Sequence, residues 1–245
     1  MVGTGDLRQA LTAVRVHASA DKDDPRYHRV RLQFGYQHLT VSATDRYTGA
    51  LAIVSLWGDP PPSGYGLAVV ELLPEDVAKI LAIFKGGKEA TGGGASPENL
   101  LRLEALGDAL RITDCSGMID GRVLKLPRLA EDSSLIDVVK NVEMMQRSRA
   151  TAIDDMAVAG ELIARFREAA KAYGASLIFQ GYGRDALFVQ CGDSVLGYCT
   201  TRTLAHDRRA RSDEWSKDWS YRLPGLLDEA RKIAGDRETG EVSDG

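Results

Sequence analysis

Residues 27–52 read YHRVRLQFGYQHLTVSATDRYTGALA, and the fold is decided in this stretch. Val30, Leu32 and Phe34 alternate with Arg29, Arg31 and Gln33, the period of two that puts a strand's apolar side chains on one face. Gly35 marks a turn, and Leu39, Val41 and Ala43 alternate again, so a hairpin is expected. Ala43-Thr44-Asp45 closes the second strand, and after a turn the apolar run 49–57 (GALAIVSLW) reads as a third.

Upstream, Leu7, Ala10, Leu11 and Val14 recur at helical spacing, which predicts a helix over 6–18 with Asp6 capping its first turn. The cluster Asp21-Lys22-Asp23-Asp24-Pro25 ends it. Downstream, a Pro60-Pro61-Pro62 loop leads to an apolar strand at 66–73. A second helix opens at Pro74, with Glu75 and Asp76 beside the positive end of its dipole. Val77, Ile80, Leu81 and Phe84 form its buried stripe, and Gly86-Gly87 stops it. The run 86–97 is a flexible loop by composition, followed by strands at 100–106 and 109–114. Later, 156–173 reads as a helix with Leu162, Ile163, Phe166, Ala169 and Ala170 inward and Gly174 as C-cap. Strands follow at 175–180, 186–191 and 194–200, then a polar run with Arg208, Arg209 and Arg211, and a short helix near 224–234. The end, from 235, reads as disordered. Helices packed on one face of antiparallel sheets make this an α+β fold.

Composition narrows the function. Among 245 residues, 31 Lys and Arg stand against 35 Asp and Glu, which excludes binding nucleic acid by bulk charge but leaves room for a local basic face. No stretch approaches the roughly 18–20 apolar residues of a membrane span, and MVGTGDLRQA lacks a signal peptide's regions. Cys115, Cys191 and Cys199 have no CxxC spacing, so neither a disulfide framework nor structural zinc is expected. These features predict a cytoplasmic, reduced protein with no metal or cofactor. Catalytic patterns are missing: there is no GxSxG, no P-loop and no GxGxxG after a strand. Gly92-Gly93-Gly94 lacks the lysine of a phosphate loop, and Asp154-Asp155 reads as a helix cap. Cys115 reads as a small hydrophobe rather than a nucleophile. A protein that is not an enzyme is expected.

The stretch around Ala43-Thr44-Asp45 resembles the bacterial DNA polymerase III beta sliding clamp, whose middle domain carries a strand ending in A-T-D-G-[HY]-R-L-A after a helix and hairpin of this length. The resemblance continues in order through the helix at 6–18, Val69-Val70-Glu71 to Phe84, and Met118 to Pro127 (MIDGRVLKLP), and ends at 186–204. Arg46-Tyr47-Thr48-Gly49 departs from the family's Gly-His/Tyr-Arg-Leu turn, and Cys199-Thr200 replaces its terminal Met-Pro. The resemblance implies a clamp-like domain at 1–134, an abbreviated second one at 135–205, and a C-terminal extension at 206–245. Between Leu129 and Gly160 the chain is too short for the opening helix and first strands of a full domain. Six domain units close a clamp ring, so two units per chain imply a homotrimer.

The function so implied is a processivity factor in DNA replication, which encircles duplex DNA and tethers a polymerase. Its partners would be double-stranded DNA without sequence preference, and a polymerase and clamp loader through peptide motifs. The basic inner wall would be Arg8, Arg15, Lys79, Lys85, Arg165, Arg167 and Lys171, with Asp76, Glu161 and Glu168 diluting it. Carried over by position, the partner-peptide pocket would be Tyr27, Thr44, Arg46, Tyr47, Thr48, Pro127, Cys199 and Thr200. The alternative is a clamp-derived interaction protein that regulates replication proteins without encircling DNA.

Overall fold

The structure, a computed structural model, describes residues 1–58, 68–85, 99–132, 136–153, 156–183, 185–203 and 205–240. The Pro60-Pro61-Pro62 loop, the whole of the 86–97 loop, Asp154-Asp155 and the last five residues lie outside the described residues. Met1–Arg202 forms one compact unit and Thr203–Gly245 another.

The first unit repeats one motif, a short strand, a helix and a three-stranded meander. Repeat one is β1 (Val2–Gly3), α1 (Thr4–Arg15), β2 (Val30–Phe34), β3 (His38–Thr44) and β4 (Thr48–Ser55). Repeat two is β5 (Val69–Leu72), α2 (Pro74–Ile83), β6 (Leu100–Leu106), β7 (Ala109–Asp114) and β8 (Val123–Pro127). After α3 (Ile136–Arg147), repeat three is β9 (Met156–Ala157), α4 (Gly160–Tyr173), β10 (Leu177–Tyr182), β11 (Ala186–Cys191) and β12 (Val195–Thr200).

Repeats one and two exchange their first strands. β1 pairs with β6 of repeat two (Val2 with Leu101), and β5 pairs with β2 of repeat one (Leu72 with Val30). Each exchange closes the edge of a meander that would otherwise lie open, and the two repeats share one core. Val2, Leu7, Leu32, Leu72, Val77 and Leu110 are all buried in it. Repeat three joins sideways: β12 pairs antiparallel with β4, giving a seven-stranded sheet in the order β10-β11-β12-β4-β3-β2-β5. The second sheet is β1-β6-β7-β8, and β9 lies outside both, in a two-stranded ribbon. The expected boundary at 134/135 lies outside the described residues, and the large sheet runs unbroken through all seven strands.

Side-chain alternation sorts the helices by face. Ala50, Ala52 and Val54 of β4 join the core beneath α1, and their register partners on β12 include Gly197, which meets Phe166 of α4. α1 packs on both α2 and α4, so these three helices form one layer. The opposite side chains, Leu51, Phe188 and Tyr198, enclose Val138 and Val142 of α3. α3 is therefore on the outer face.

The connector crosses that outer face from edge to edge. Leu129 N–H donates to Glu71 O on β5 at 2.8 Å, and at the far side Thr151 N–H donates to Gly181 O on β10 at 2.9 Å. Near its start a buried carboxylate fixes it. Glu71, 1% exposed, accepts from Arg29 Nη1 at 2.5 Å, Arg31 Nε at 2.8 Å and Asp132 N–H at 3.0 Å. Arg29 and Arg31 also donate to the carbonyls of Ala130 and Asp132. Two cations on one carboxylate, with the remaining donors spent on carbonyls, is the arrangement that makes burying charge tolerable.

Several expectations need correcting. α1 begins at Thr4 with Gly3 as its N-cap and no side-chain cap, so Asp6 favours the helix dipole from the first turn rather than capping. Met156–Ala157 is strand, which delays α4 to Gly160. α3 answers to no expected element, although Val138, Val142 and Met145 at i, i+4 and i+7 carry a helical signal. β10 lies two residues later than expected, and Gly174 caps α4 in the left-handed conformation as read (φ 61°).

The C-terminal unit is one helix, α5 (His206–Gly240), with Pro224 inside it. The expected polar run, short helix near 224–234 and disordered end from 235 are corrected: the helix is continuous from His206 through the polar run to Gly240. Trp215, Trp219, Leu223 and Leu226 are exposed along it at spacings of four, four and three, and the Arg222 guanidinium lies 6.0 Å from the Trp219 ring centre.

Two glycines permit the β4–β12 junction. A Cβ on Gly197 would lie 2.7 Å from Gly49 O and 2.7 Å from Phe166 Cε1; a Cβ on Gly49 would lie 2.4 Å from the Tyr198 ring. The Gly197 contact is with backbone, which cannot move aside without breaking the ladder. Gly197→Val should therefore cost about 3 kcal/mol or more, a Tm drop of roughly 6–12 °C. Gly160→Ala, with no atom within 4 Å of its Cβ, should leave Tm unchanged in the same thermal melts.

Candidate functional site

The Ala43-Thr44-Asp45 turn sits where repeats one and three meet. Asp45 accepts from the N–H groups of Tyr47 and Thr48 through Oδ1, at 3.1 and 2.8 Å. Its other oxygen accepts from Arg165 of α4 at 2.5 Å, and Arg165 also donates to Thr48 Oγ1 at 2.8 Å. Thr200 N–H donates to Tyr47 O at 2.7 Å, and Cys199 is the register partner of Thr48. One carboxylate thus holds the turn, the third repeat's helix and, through Thr48, the third repeat's last strand.

Arg46 takes φ 80°, a left-handed conformation that costs a residue with a Cβ about 1 kcal/mol or more. This is the position of glycine in the clamp turn that the stretch resembles, and Arg46 takes a glycine-like backbone conformation there. The side chain offsets the cost: its guanidinium stacks 4.5 Å from the Tyr27 ring centre and pairs with Asp24. A cavity of about 250 Å³ opens here, lined by Ser19, Asp21, Asp24, Tyr27, Asp45, Arg46 and Tyr47. Three carboxylates and one guanidinium make it polar and acidic rather than a greasy groove.

Of the expected pocket residues, Tyr27, Arg46 and Tyr47 line this cavity. Thr44, Thr48 and Cys199 lie beneath it, buried by the β4–β12 pairing, with Thr200 beside Tyr47. Pro127 is elsewhere. It ends β8 opposite Ala109, and the chain two residues on bonds to β5, three strands away from β4. A larger cavity of about 610 Å³, with Phe34, Tyr36, Leu56, Trp57 and Leu103 among its walls, was not signalled by the sequence.

Six of the seven expected DNA-contacting cations lie on α1, α2 and α4, and Lys85 follows the C-cap of α2, but four of the seven have internal duties. Arg8 donates to the carbonyls of Leu81 and Phe84 at 2.5 and 2.6 Å, satisfying the open end of α2. Arg165 is held by Asp45, Lys79 by Asp76 at 2.7 Å and Lys171 by Glu168 at 3.0 Å. Among the described residues, Arg15, Lys85 and Arg167 carry no ion pair. No three His, Cys, Asp or Glu side chains converge as a metal site among the described residues. Burial raises the Cys115 thiol, and Cys199 is pushed up to about 11 by burial and the Asp45 charge, so both favour the neutral thiol over a nucleophilic thiolate.

The comparisons with known proteins agree on the fold. No family model and no curated relative matches the sequence. Solved structures do. The beta subunit of DNA polymerase III from Thermotoga maritima matches 83% of this chain and 64% of its own, at TM-score 0.53 and 15% identity. The Bacillus subtilis sliding clamp matches with the same coverage at TM-score 0.56 and 10% identity, and a putative DNA polymerase III beta subunit from Eubacterium rectale at 0.59 and 6%. The chain has the antiparallel α+β fold of the sliding-clamp domain and spans about 64% of the length of these clamps.

His17 lies under the site, fully buried, its ring 4.5 Å from that of Phe166 and neither ring nitrogen hydrogen-bonded. Burial, reinforced by the Arg165 charge and opposed by Asp45, lowers its pKa from 6.5 to about 3. The unfolded chain then binds the extra proton between those values, so the stability His17 contributes is full above pH 6.5 and is lost as pH falls towards 3. The loss is on the order of 4 kcal/mol. Urea midpoints at pH 7 and pH 4 should converge in His17→Leu relative to the unsubstituted protein.

Proposed function

We propose that this protein is a DNA sliding clamp that serves as a processivity factor in replication. The reading is supported by the sliding-clamp domain fold of the chain, and by the β4–β12 pairing and the packing of α4 on α1, which would correspond to a junction between neighbouring domains. The helices of such a ring face the duplex. Sequence-independent sliding needs only diffuse phosphate contacts, for which Arg15, Lys85 and Arg167 are the available cations. No chemistry of its own is required. The acidic cavity at Tyr27, Arg46 and Tyr47 would take a polymerase or loader peptide that carries basic residues beside its apolar anchors.

Ring stoichiometry follows from the repeats. Six domains of two repeats make twelve. A homotrimer needs two complete domains per chain, whereas three repeats per chain count to twelve in four chains. The second reading, a clamp-derived regulator that does not encircle DNA, draws on the same half-domain: one chain alone leaves its second domain unfinished.

Retention on DNA separates the two. The protein should co-elute with nicked circular plasmid and be released by a single double-strand cut. Equal behaviour on circular and linear DNA would support the regulator. Lys85→Glu with Arg167→Glu should weaken binding on every sequence alike and flatten the dependence of log K on log salt by about 0.9 per lost contact.

A further inference from the structure

Repeat three is half of a domain. In the complete domain each repeat lends its first strand to the other's meander: β1 closes β6, and β5 closes β2 along Val30–Gln33. Repeat three has a meander and a first strand but no second repeat to exchange with. β9 closes neither large sheet: one of its edges pairs with Arg202–Thr203, and among the described residues its other edge is open. On β10, the connector bridges only Gly181, through Thr151, and among the described residues nothing pairs with the outer side of 177–180.

The core shows the same incompleteness. Val2, Leu32, Leu72 and Leu101, which sit on the exchanged strands and their acceptors in the complete domain, are at most 1% exposed. Their counterparts in repeat three, Met156, Val158, Leu177 and Phe179, are only partly buried against Phe166, Leu187 and Val189. Ile178 on the open edge is 52% exposed. An unpaired strand edge beside a half-covered core is a template for another strand.

We propose that two copies of this chain complete one domain between them, the β9 of each closing the β10 edge of the other across a two-fold axis. The two repeats of the complete domain exchange strands reciprocally, which is the relation a true two-fold axis imposes on two identical repeats. The register follows as well. Leu72, two residues before α2, faces Val30, the first residue of β2. The β5–β2 offset sets Val158 opposite Leu177 of the second copy, Ala157 opposite Ile178 and Met156 opposite Phe179; the β1–β6 offset, in which Val2 faces Leu101, the second residue of β6, would instead set Val158 opposite the exposed Ile178. Side chains directly opposite share a face. Under the β5–β2 offset Met156, Val158, Leu177 and Phe179 all fall on the core face, where each already packs in the single chain. The proposal rests on repeat arithmetic and strand pairing, and holds whether or not the assembly encircles DNA.

Two measurements on the full chain test it. Light scattering across a concentration series should give an even number of chains, ~53 kDa or ~106 kDa for a chain of 26.6 kDa. A monomer at tens of micromolar, or a trimer of ~80 kDa, would overturn the proposal. Ala157→Cys with Ile178→Cys, in a Cys115→Ser background, places the two thiols opposite one another between copies. Mild oxidation should yield a covalent dimer on non-reducing gels, with the other two cysteines buried. Either single cysteine should yield at least tenfold less. Monomeric product from the double variant, or equal dimer from the singles, would place the contact elsewhere. Met156→Asp should halve the number of chains in the assembly. If it instead unfolds the chain, the mass and the crosslink still decide.

Discussion

The antiparallel ladder between β4 and β12 is the constraint on which the rest of this molecule depends. It joins residues 48–52 to 195–199, so almost the whole intervening chain must be in place before the ladder can close. Loop-closure entropy grows only slowly with length, but the contacts have to repay it. They do so on both faces. Gly197 lets Phe166 approach from the helix side, Gly49 admits the Tyr198 ring on the other, and α3 closes over Leu51, Phe188 and Tyr198. The connector holding α3 is anchored by a carboxylate, Glu71, that two arginines would leave at high cost if it were removed. Asp45 adds the last tie, from the turn before β4 to Arg165 on α4. Without this ladder, the third repeat would have no attachment to the sheet.

Much of the first domain was legible because its local signals agree with one another. The period-two alternation of 30–34 and 39–43 and the Gly107-Asp108 turn located β2, β3, β6 and β7, and Pro74 located the start of α2. The repeat architecture was not legible. Its three copies share a pattern of elements rather than of residues, and two of the three opening strands, β1 and β9, are two residues long, below what periodicity can register. α3 was overlooked although its i, i+4, i+7 apolar spacing was available. α5 was not legible at its full length, because its polar and charged first half carries little apolar periodicity.

The candidate site divides in the same way. Residues near one another in sequence, Thr44 to Thr48, come together by position alone, and Cys199 and Thr200 reach them through the β4–β12 ladder and the Thr200–Tyr47 hydrogen bond. Pro127 does not, since β8 belongs to the meander of repeat two, in the other sheet. Charge was the weakest guide. A cation on a helix can face DNA, cap a neighbouring helix as Arg8 does, or lock a junction as Arg165 does, and composition does not distinguish these. The one position where the turn abandons glycine, Arg46, keeps the left-handed backbone and recovers its cost through Tyr27 and Asp24.

A chain of three repeats with one closed domain and one open half has an assembly written into its strand edges. Single-particle imaging of the purified full chain tests this most directly. The account predicts a closed ring of four chains around an open channel, with α1, α2 and α4 of each chain lining it and β9 seated on the neighbouring copy's β10. Three-fold rings, or compact particles without a channel and with β10 unpaired, would contradict it.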